Sequence, residues 1–324
     1  MKQKILFSAL SIFFCITLVN AQNEKKRYDH FKERNISKSY TASGTSLDIE
    51  NSFGKVEVIT WSNNEIKVDV HIEASSTDAD NAEQIFNTIT VTDDKKGNTV
   101  YFKTSVKGEN NKGCKNCQNN MSIDYTIHVP VSVSMDISNS FGKITLPDYS
   151  GELSLSSKFG GIDAGNLGNV KKLNVEFGAA NIKKLSNIDA VFKFSSVDLG
   201  SLSGSNKLKM EFCSTSKIVL TDALTSLNLN ESYSTVNLKP TSNLPISFTL
   251  HTSFGTLVNR SGMDINRTDK PDEYGPDADK NFEGKSGNGS VKIDIKSSFG
   301  KIIIGEPQPG DMKEKKNKKE KTEV

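Results

Sequence analysis

Cys114 and Cys117 are three residues apart in the polar segment G-C-K-N-C-Q. In an oxidising compartment two thiols this close pair as a local disulfide. Zinc would need two further ligands, and there is no second cysteine pair. Cys213 follows Phe212 where comparable positions hold Gly or Ser, and no His is near it in sequence. It reads as a small packed thiol, not a nucleophile. Asp277-x-Asp279-x-Asn281-x-Glu283 opens like a calcium loop. Such a loop then needs Gly at its sixth position and Glu at its twelfth, and Phe282 and Asn288 stand there. Gly284-Lys285-Ser286 is no phosphate loop, because Asp279 occupies the place of the upstream Gly. His30, His71, His128 and His251 form no defensible nucleophile set. Asp163, Asp189, Asp198 and Asp222 recur near the ends of repeats, as carboxylates do in polysaccharide-cleaving β-helices, but any outward face repeats its polar positions. These residues assign no catalytic set, no metal and no cofactor.

What would position any of them is a repeat. Phe53, Phe141, Phe159, Phe177, Phe194, Phe212, Tyr233, Phe254 and Phe299 each sit in a near-copy of N-S-F-G-K-V-E-V, with steps of 17 to 21 residues from 141 to 254. A fixed period of that size marks one supersecondary unit stacked on copies of itself. Each copy alternates before the ring, as in Val133-x-Met135-x-Ile137, and again after it, as in Ile144-x-Leu146. Alternation with period 2 is strand. Gly after the ring marks a bend. The expectation is an all-β chain, a single-stranded β-helix or solenoid with 17–21-residue rungs. The rings are expected to face inward as a buried ladder, so that Phe177→Ala costs roughly 3–5 kcal/mol. A leucine-rich repeat lacks its fixed Asn in most copies, and a sandwich would not need the same corner each time.

Two intervals break the period. From Phe53 to Phe141, strands are expected at Glu65–Ala74, Ile89–Thr92, Thr99–Val106 and Ser122–Val129, with a short helix at 78–87 capped by Asp78 or Thr77. This antiparallel meander is placed to cover the open end of the solenoid. The second interval holds the polar loop 260–290. Its Asp269, Asp272, Glu273, Tyr274, Asp277, Asp279 and Glu283 make it the expected contact site, since long loops on rigid scaffolds carry function.

Residues 1–21 read as a secretory signal: Lys2 and Lys4, an apolar run from Ile5 to Val19, then Val19-Asn20-Ala21. The expected organisation is a signal peptide over 1–21, a polar basic segment over 22–40, the meander with the first repeat over 41–135, solenoid repeats over 136–305, and a disordered tail over 306–324. That tail holds six Lys and five acids. Loss of Lys2 and Lys4 takes the net charge from +2 to zero. Nucleic acid, which selects a basic face, is therefore not an expected partner. No other apolar run in the mature chain is long enough to span a membrane.

The phrases N-S-F-G-K-V-E-V-I-T-W (51–61), Y-T-I-H-V-P (125–130) leading into S-N-S-F-G-K-I (138–144), and G-S-V-K-I-D-I-K-S-S-F-G-K-I-I-I (289–304) resemble the putative adhesin family of bacterial envelope proteins. This is a domain of unknown function related to the head-domain putative autotransporter adhesins. The resemblance runs over about residues 40–305 and implies a β-helix with no established catalytic residues. The Lys-, Asn- and Ser-rich usage resembles exported proteins of the Bacteroidetes type.

The expected function is that of an exported, non-enzymatic binding or structural protein of the bacterial cell envelope, held in the periplasm, at the outer membrane or on the surface. Its partner would be a glycan or an envelope protein. The alternatives are a periplasmic component of envelope-stress signalling and a polysaccharide-cleaving β-helix enzyme.

Overall fold

The computed structural model describes residues 27–108, 114, 116–271 and 274–312. The expected signal at 1–21 and most of the expected tail lie outside them. Among the described residues, no helix is long and apolar enough to cross a membrane.

The alternation in the sequence becomes two faces of parallel strands. The front face carries the strands that precede each aromatic residue. It runs through Ser46–Ser52, Met135–Ser140, Tyr149–Lys158, the second half of Gly161–Glu176, Asp189–Lys193, and the second halves of Ser196–Glu211 and Thr215–Ser232. The back face carries the strands that follow the aromatic. It runs through Val56–Trp61, Lys143–Leu146, the start of Gly161–Glu176, Ala179–Ser186, the starts of Ser196–Glu211 and Thr215–Ser232, and Thr235–Pro240. Tyr149–Lys158 and Val291–Ser298 bury every second residue, as half-buried strands must. The core between the faces is aliphatic. Leu153, Leu155, Ile162, Leu173, Val175, Ile182, Leu199, Leu208, Leu227 and Leu229 are all buried. Each contributes on the order of 1.5–3 kcal/mol of hydrophobic burial.

Among the described residues the protein is all-β apart from one helix, and a simple sequential coil is only part of the arrangement. At the amino-terminal end Thr99–Val106 joins the front face in parallel, and Ile89–Lys96 then closes it antiparallel. On the back face Asn119–Pro130 joins in parallel. Glu65–Ser76 and His30–Thr41 follow antiparallel. The strand His30–Thr41 occupies much of the segment that composition presents as a polar lead-in. Its place comes from twelve backbone pairs with Glu65–Ser76 and from side-chain anchors. The Arg34 guanidinium lies over Phe86 and donates to the Ile89 carbonyl at 3.3 Å, and Tyr40 donates to Asp93 at 2.7 Å. The helix Ala79–Thr88 falls where the sequence places it. Asp78 accepts from the Asn81 N–H at 2.9 Å, and Ala82 and Ile85 face inward.

The other end departs from sequence order. Val291–Ser298 and Lys301–Gly305 are the last repeat in the chain, yet they lie between the two repeats before them. The front strand Val291–Ser298 pairs with Thr215–Ser232 on one side and Ile246–Ser253 on the other. The back strand Lys301–Gly305 pairs with Thr235–Pro240 and with Thr256–Arg260. The segment expected as a free contact loop instead closes the front edge. Asp279–Lys285 runs antiparallel to Ile246–Ser253, and Ile265–Arg267 runs antiparallel to Asp279–Lys285. Seven unpaired backbone positions at a sheet edge are a strong local reason for that segment to become strand.

Candidate functional site

The aromatic residue sits at the corner between front and back strands. The sequence reading put these rings in the core, and the structure corrects that. Phe141, Phe159, Phe177, Phe194, Phe212, Tyr233, Phe254 and Phe299 are 43–53 % exposed, and Phe53 is half-buried at the amino-terminal end. All nine have left-handed backbones, with φ between 50° and 64°. That conformation turns the chain from one face to the other and aims the side chain outward. It costs an L-residue on the order of 1–2 kcal/mol.

Two contacts hold the strained corner. The ring residue's own N–H donates along the stack. Phe141 reaches the Lys158 carbonyl at 2.9 Å, Phe177 the Lys193 carbonyl at 2.9 Å, and Tyr233 the Ser298 carbonyl at 2.9 Å. At the end of the series Phe254 donates to the Ala278 carbonyl at 2.8 Å. The rings also stack, with centroids 4.7–5.0 Å apart and planes within 11° of parallel. Their order is Phe53, Phe141, Phe159, Phe177, Phe194, Phe212, Tyr233, Phe299, Phe254. Ring faces cover one another and ring edges meet solvent, forming one apolar ridge along the molecule.

The residue after the ring must let successive corners approach. A Cβ on Gly142 would collide with the Gly54 carbonyl oxygen, and one on Gly160 with that of Gly142. Where Ser195, Cys213 or Ser234 replaces Gly, the side chain turns inward. Ser195 Oγ donates to the Lys193 carbonyl at 2.7 Å, and Cys213 is buried. Two residues before the ring lies an inward column. Asn51 and Asn139 begin it, Val175, Phe192 and Met210 form its middle, and Glu231, Ser297 and Thr252 end it. Asn139 Nδ2 donates to the Gly54 carbonyl at 2.9 Å. Glu231 accepts from Ser297 Oγ and from the Ser234 N–H. Burial pushes its carboxyl up to about 7, although both hydrogen bonds pull the other way.

On the back face, Leu146, Asp148, Asp163, Asn181, Lys183 and Asp198 help to line a groove of about 780 Å³. Burial alone would raise the Asp163 carboxyl, but hydrogen bonds from Lys143 and Asn181 outweigh it and hold it low. Asp148 is held low by the Asn166 N–H and side chain. Asp189 is outside this groove, in register with Lys207 on the front face, and Asp222 accepts from Thr241. The four recurring aspartates therefore do not converge.

In the edge-closing segment Arg267 holds both Asp269 and Asp277, at 2.5 and 2.6 Å. Hydrogen bonds from Arg267 and the Asn281 N–H keep Asp269 down at about 2. Asp279 and Glu283 belong to the strand Asp279–Lys285, so the acids that suggested a calcium loop are laid out along an extended strand. Tyr274 is almost wholly exposed. Asp272 and Glu273 lie outside the described residues. Cys114 and Cys117 are joined in a disulfide with Cα atoms 5.5 Å apart. Among the described residues, Glu33, His71 and Glu73 also come close together, and Arg27 bridges the two carboxylates at 3.0 and 3.5 Å.

No family model matches this chain, and no curated protein matches it. Several solved structures do. A putative adhesin from Bacteroides fragilis is 12 % identical, with 84 % of this chain and 97 % of that one covered and a TM-score of 0.40. A putative adhesin from Parabacteroides distasonis is 10 % identical, with 86 % and 98 % covered and a TM-score of 0.38. A putative lipid binding protein from Parabacteroides distasonis is 12 % identical, with 86 % and 98 % covered and a TM-score of 0.33. None of them lends this chain a residue role. The chain is similar to solved structures of bacterial putative adhesins.

Proposed function

We propose that this chain is an exported, non-enzymatic β-solenoid of the bacterial cell envelope that binds in an adhesin-like manner through its aromatic ridge. The observation that carries the proposal is the nine-fold repetition of an aromatic side chain in a strained, outward-facing backbone conformation. Strain repeated along a surface indicates a use for that surface. Eight half-exposed rings of ordinary size present roughly 800 Å² of apolar area, more than the largest patch of a typical monomer.

The stacking also narrows the partner. Sugars pack on ring faces, and here the faces are taken by neighbouring rings. Edges at a spacing of 4.7–5.0 Å suit an apolar protein surface better than a glycan. An envelope protein is therefore the partner proposed, engaged by many weak contacts that add along the ridge. The non-enzymatic reading is supported in the groove. Asp148 and Asp163 are both held low by local hydrogen bonds, the opposite of what a general acid needs. Export by a leader over 1–21 belongs to the same proposal, with the mature protein in the periplasm, at the outer membrane or on the surface.

The test compares attachment of purified protein to envelope preparations from its own cells. Replacing Phe159, Phe177, Phe194 and Phe212 together by Ser should abolish attachment, while Tyr274→Ala should leave it intact. Loss with Tyr274→Ala alone would return the site to the edge-closing segment. Full attachment by the four-ring variant, with its circular dichroism unchanged, would refute the ridge.

A further inference from the structure

The two neighbours of the interposed last repeat pair with it in matching register. We propose that segment 291–305 is an exchangeable rung, and that the slot between the repeats of Tyr233 and Phe254 accepts the same segment from a second copy of this chain.

Three observations carry this. The first is spacing. Tyr233 follows Phe212 by 21 residues and Phe254 follows Tyr233 by 21, so the repeat of Phe254 is in step to stack directly on that of Tyr233. The second is register. The last repeat pairs with both neighbours position for position. Leu227 and Phe248 both pair with Ile293, Leu229 and Leu250 both with Ile295, and Val236 and Leu257 both with Ile302. Removing the middle rung therefore leaves two parallel edges that match in direction, face and side-chain type, and Phe254 would take the place of Phe299 on Tyr233. The third is an unpartnered group. Glu231, Ser297 and Thr252 occupy one inward column, and Thr252 Oγ1 is buried with no hydrogen-bond partner, while Ser297 takes Glu231. In the direct stack the Thr252 hydroxyl faces Glu231 and gains the acceptor it lacks. A buried hydroxyl without a partner costs free energy, so this contact favours the shorter arrangement.

The direct stack keeps Leu227 and Leu229 covered while the last rung is out. The rung itself, with Val291, Ile293, Ile295 and Ile302–Ile304 buried in the closed form, regains every contact if it enters the equivalent slot of another copy. Exchange of an identical element between copies needs no new interface, only a connection long enough to reach. Residues 261–290 supply that connection once Asp279–Lys285 lets go of Ile246–Ser253, so exchange opens the edge-closing pairing together with the rung.

Cysteine pairs distinguish the arrangements in the full chain. Asn228, Asp294 and Thr249 are outward neighbours in that spatial order. Thr249→Cys with Asp294→Cys reports the closed form and should oxidise readily, which also shows that the fold tolerates the changes. Asn228→Cys with Thr249→Cys spans two rungs in the closed form, too far for a disulfide, and becomes adjacent only in the direct stack. Asp189→Cys with Asn228→Cys, two rungs apart across Lys207, is the control with no alternative register. The expected result is cross-linking of the 228/249 pair at least about ten-fold faster than the control pair. Mixing a copy carrying only Asn228→Cys with one carrying only Asp294→Cys should give a covalent heterodimer. A 228/249 rate equal to the control overturns the second arrangement. A fast 228/249 link without heterodimer overturns the exchange between copies.

Discussion

Phe177 lies face to face with Phe194, ring centroids 4.7 Å apart and planes 3° from parallel, and both rings stand outside the core that their strands enclose. Their backbones, at φ 55° and 50°, have a conformation that glycine takes without penalty. Replacing Phe177 therefore removes stacking and relieves strain in proportions set by the new residue. Phe177→Ala keeps the strain and loses two ring contacts, so it should destabilise by about 1–3 kcal/mol. Phe177→Gly should cost about 1 kcal/mol less than Phe177→Ala, the reverse of the usual order in a strand. Urea unfolding of the two variants decides it. A glycine variant less stable than the alanine one would mean that the left-handed corner carries no strain.

Gly160 makes the opposite demand. Its φ is not in the left-handed region, but an added Cβ would strike the Gly142 carbonyl of the adjacent rung. Gly160→Ala should destabilise by about 3 kcal/mol, at the high end for overpacking, because backbone has to move. Gly97→Ala, at φ 59° with open space around it, should cost about 1 kcal/mol. Similar losses at both positions in equilibrium unfolding would show that the corners are not in close contact.

Glu231 gives the stability a pH dependence of known sign. The folded acid keeps its proton up to about pH 7, whereas the unfolded one loses it near 4.5. Between those values the folded state binds more protons, so stability declines as pH rises through this range and the full penalty is present above it. The loss is roughly 3 kcal/mol. Glu231→Gln should remove this part of the decline and be more stable than the parent protein at pH 8. Parallel stability–pH curves for the two proteins would show that Glu231 is not held protonated by burial.

Asp78 caps the helix Ala79–Thr88 through the Asn81 N–H. Asp78→Ala should cost about 1 kcal/mol, with Asp78→Asn nearly neutral. Thermal melts that fail to separate Ala from Asn would point to charge, not the cap hydrogen bond, as the contribution of this residue.

The helix, its cap and the strands from Glu65 to Pro130 were legible because periodicity and capping are local signals. The direction of the rings was not. Leu153, Leu155 and Ser157 face inward, so period 2 carried through the corner predicts an inward Phe159. One left-handed residue breaks that parity, and an aromatic is a poor advertisement for positive φ. The small residue that follows each ring, Gly, Ser or once Cys, was the available signal, and it marked the bend without saying which residue made it. The place of Phe299 between Tyr233 and Phe254 was hidden for another reason. Repeats that match each other equally well contain no statement of who neighbours whom. The edge-closing role of residues 279–285 depends on a partner strand some thirty residues earlier, beyond any local pattern.

The reversed strands at the two extremities have a consequence for assembly. A parallel coil that ended bare would offer its last turn as a template for the first turn of another molecule, and filaments would grow. Asp279–Lys285 at one extremity, and Ile89–Lys96 with His30–Thr41 at the other, run against the direction that such growth requires. On the front face both extremities are thereby closed to end-to-end growth, while Thr256–Arg260, paired on one side only, leaves the last back strand as the one parallel edge there among the described residues.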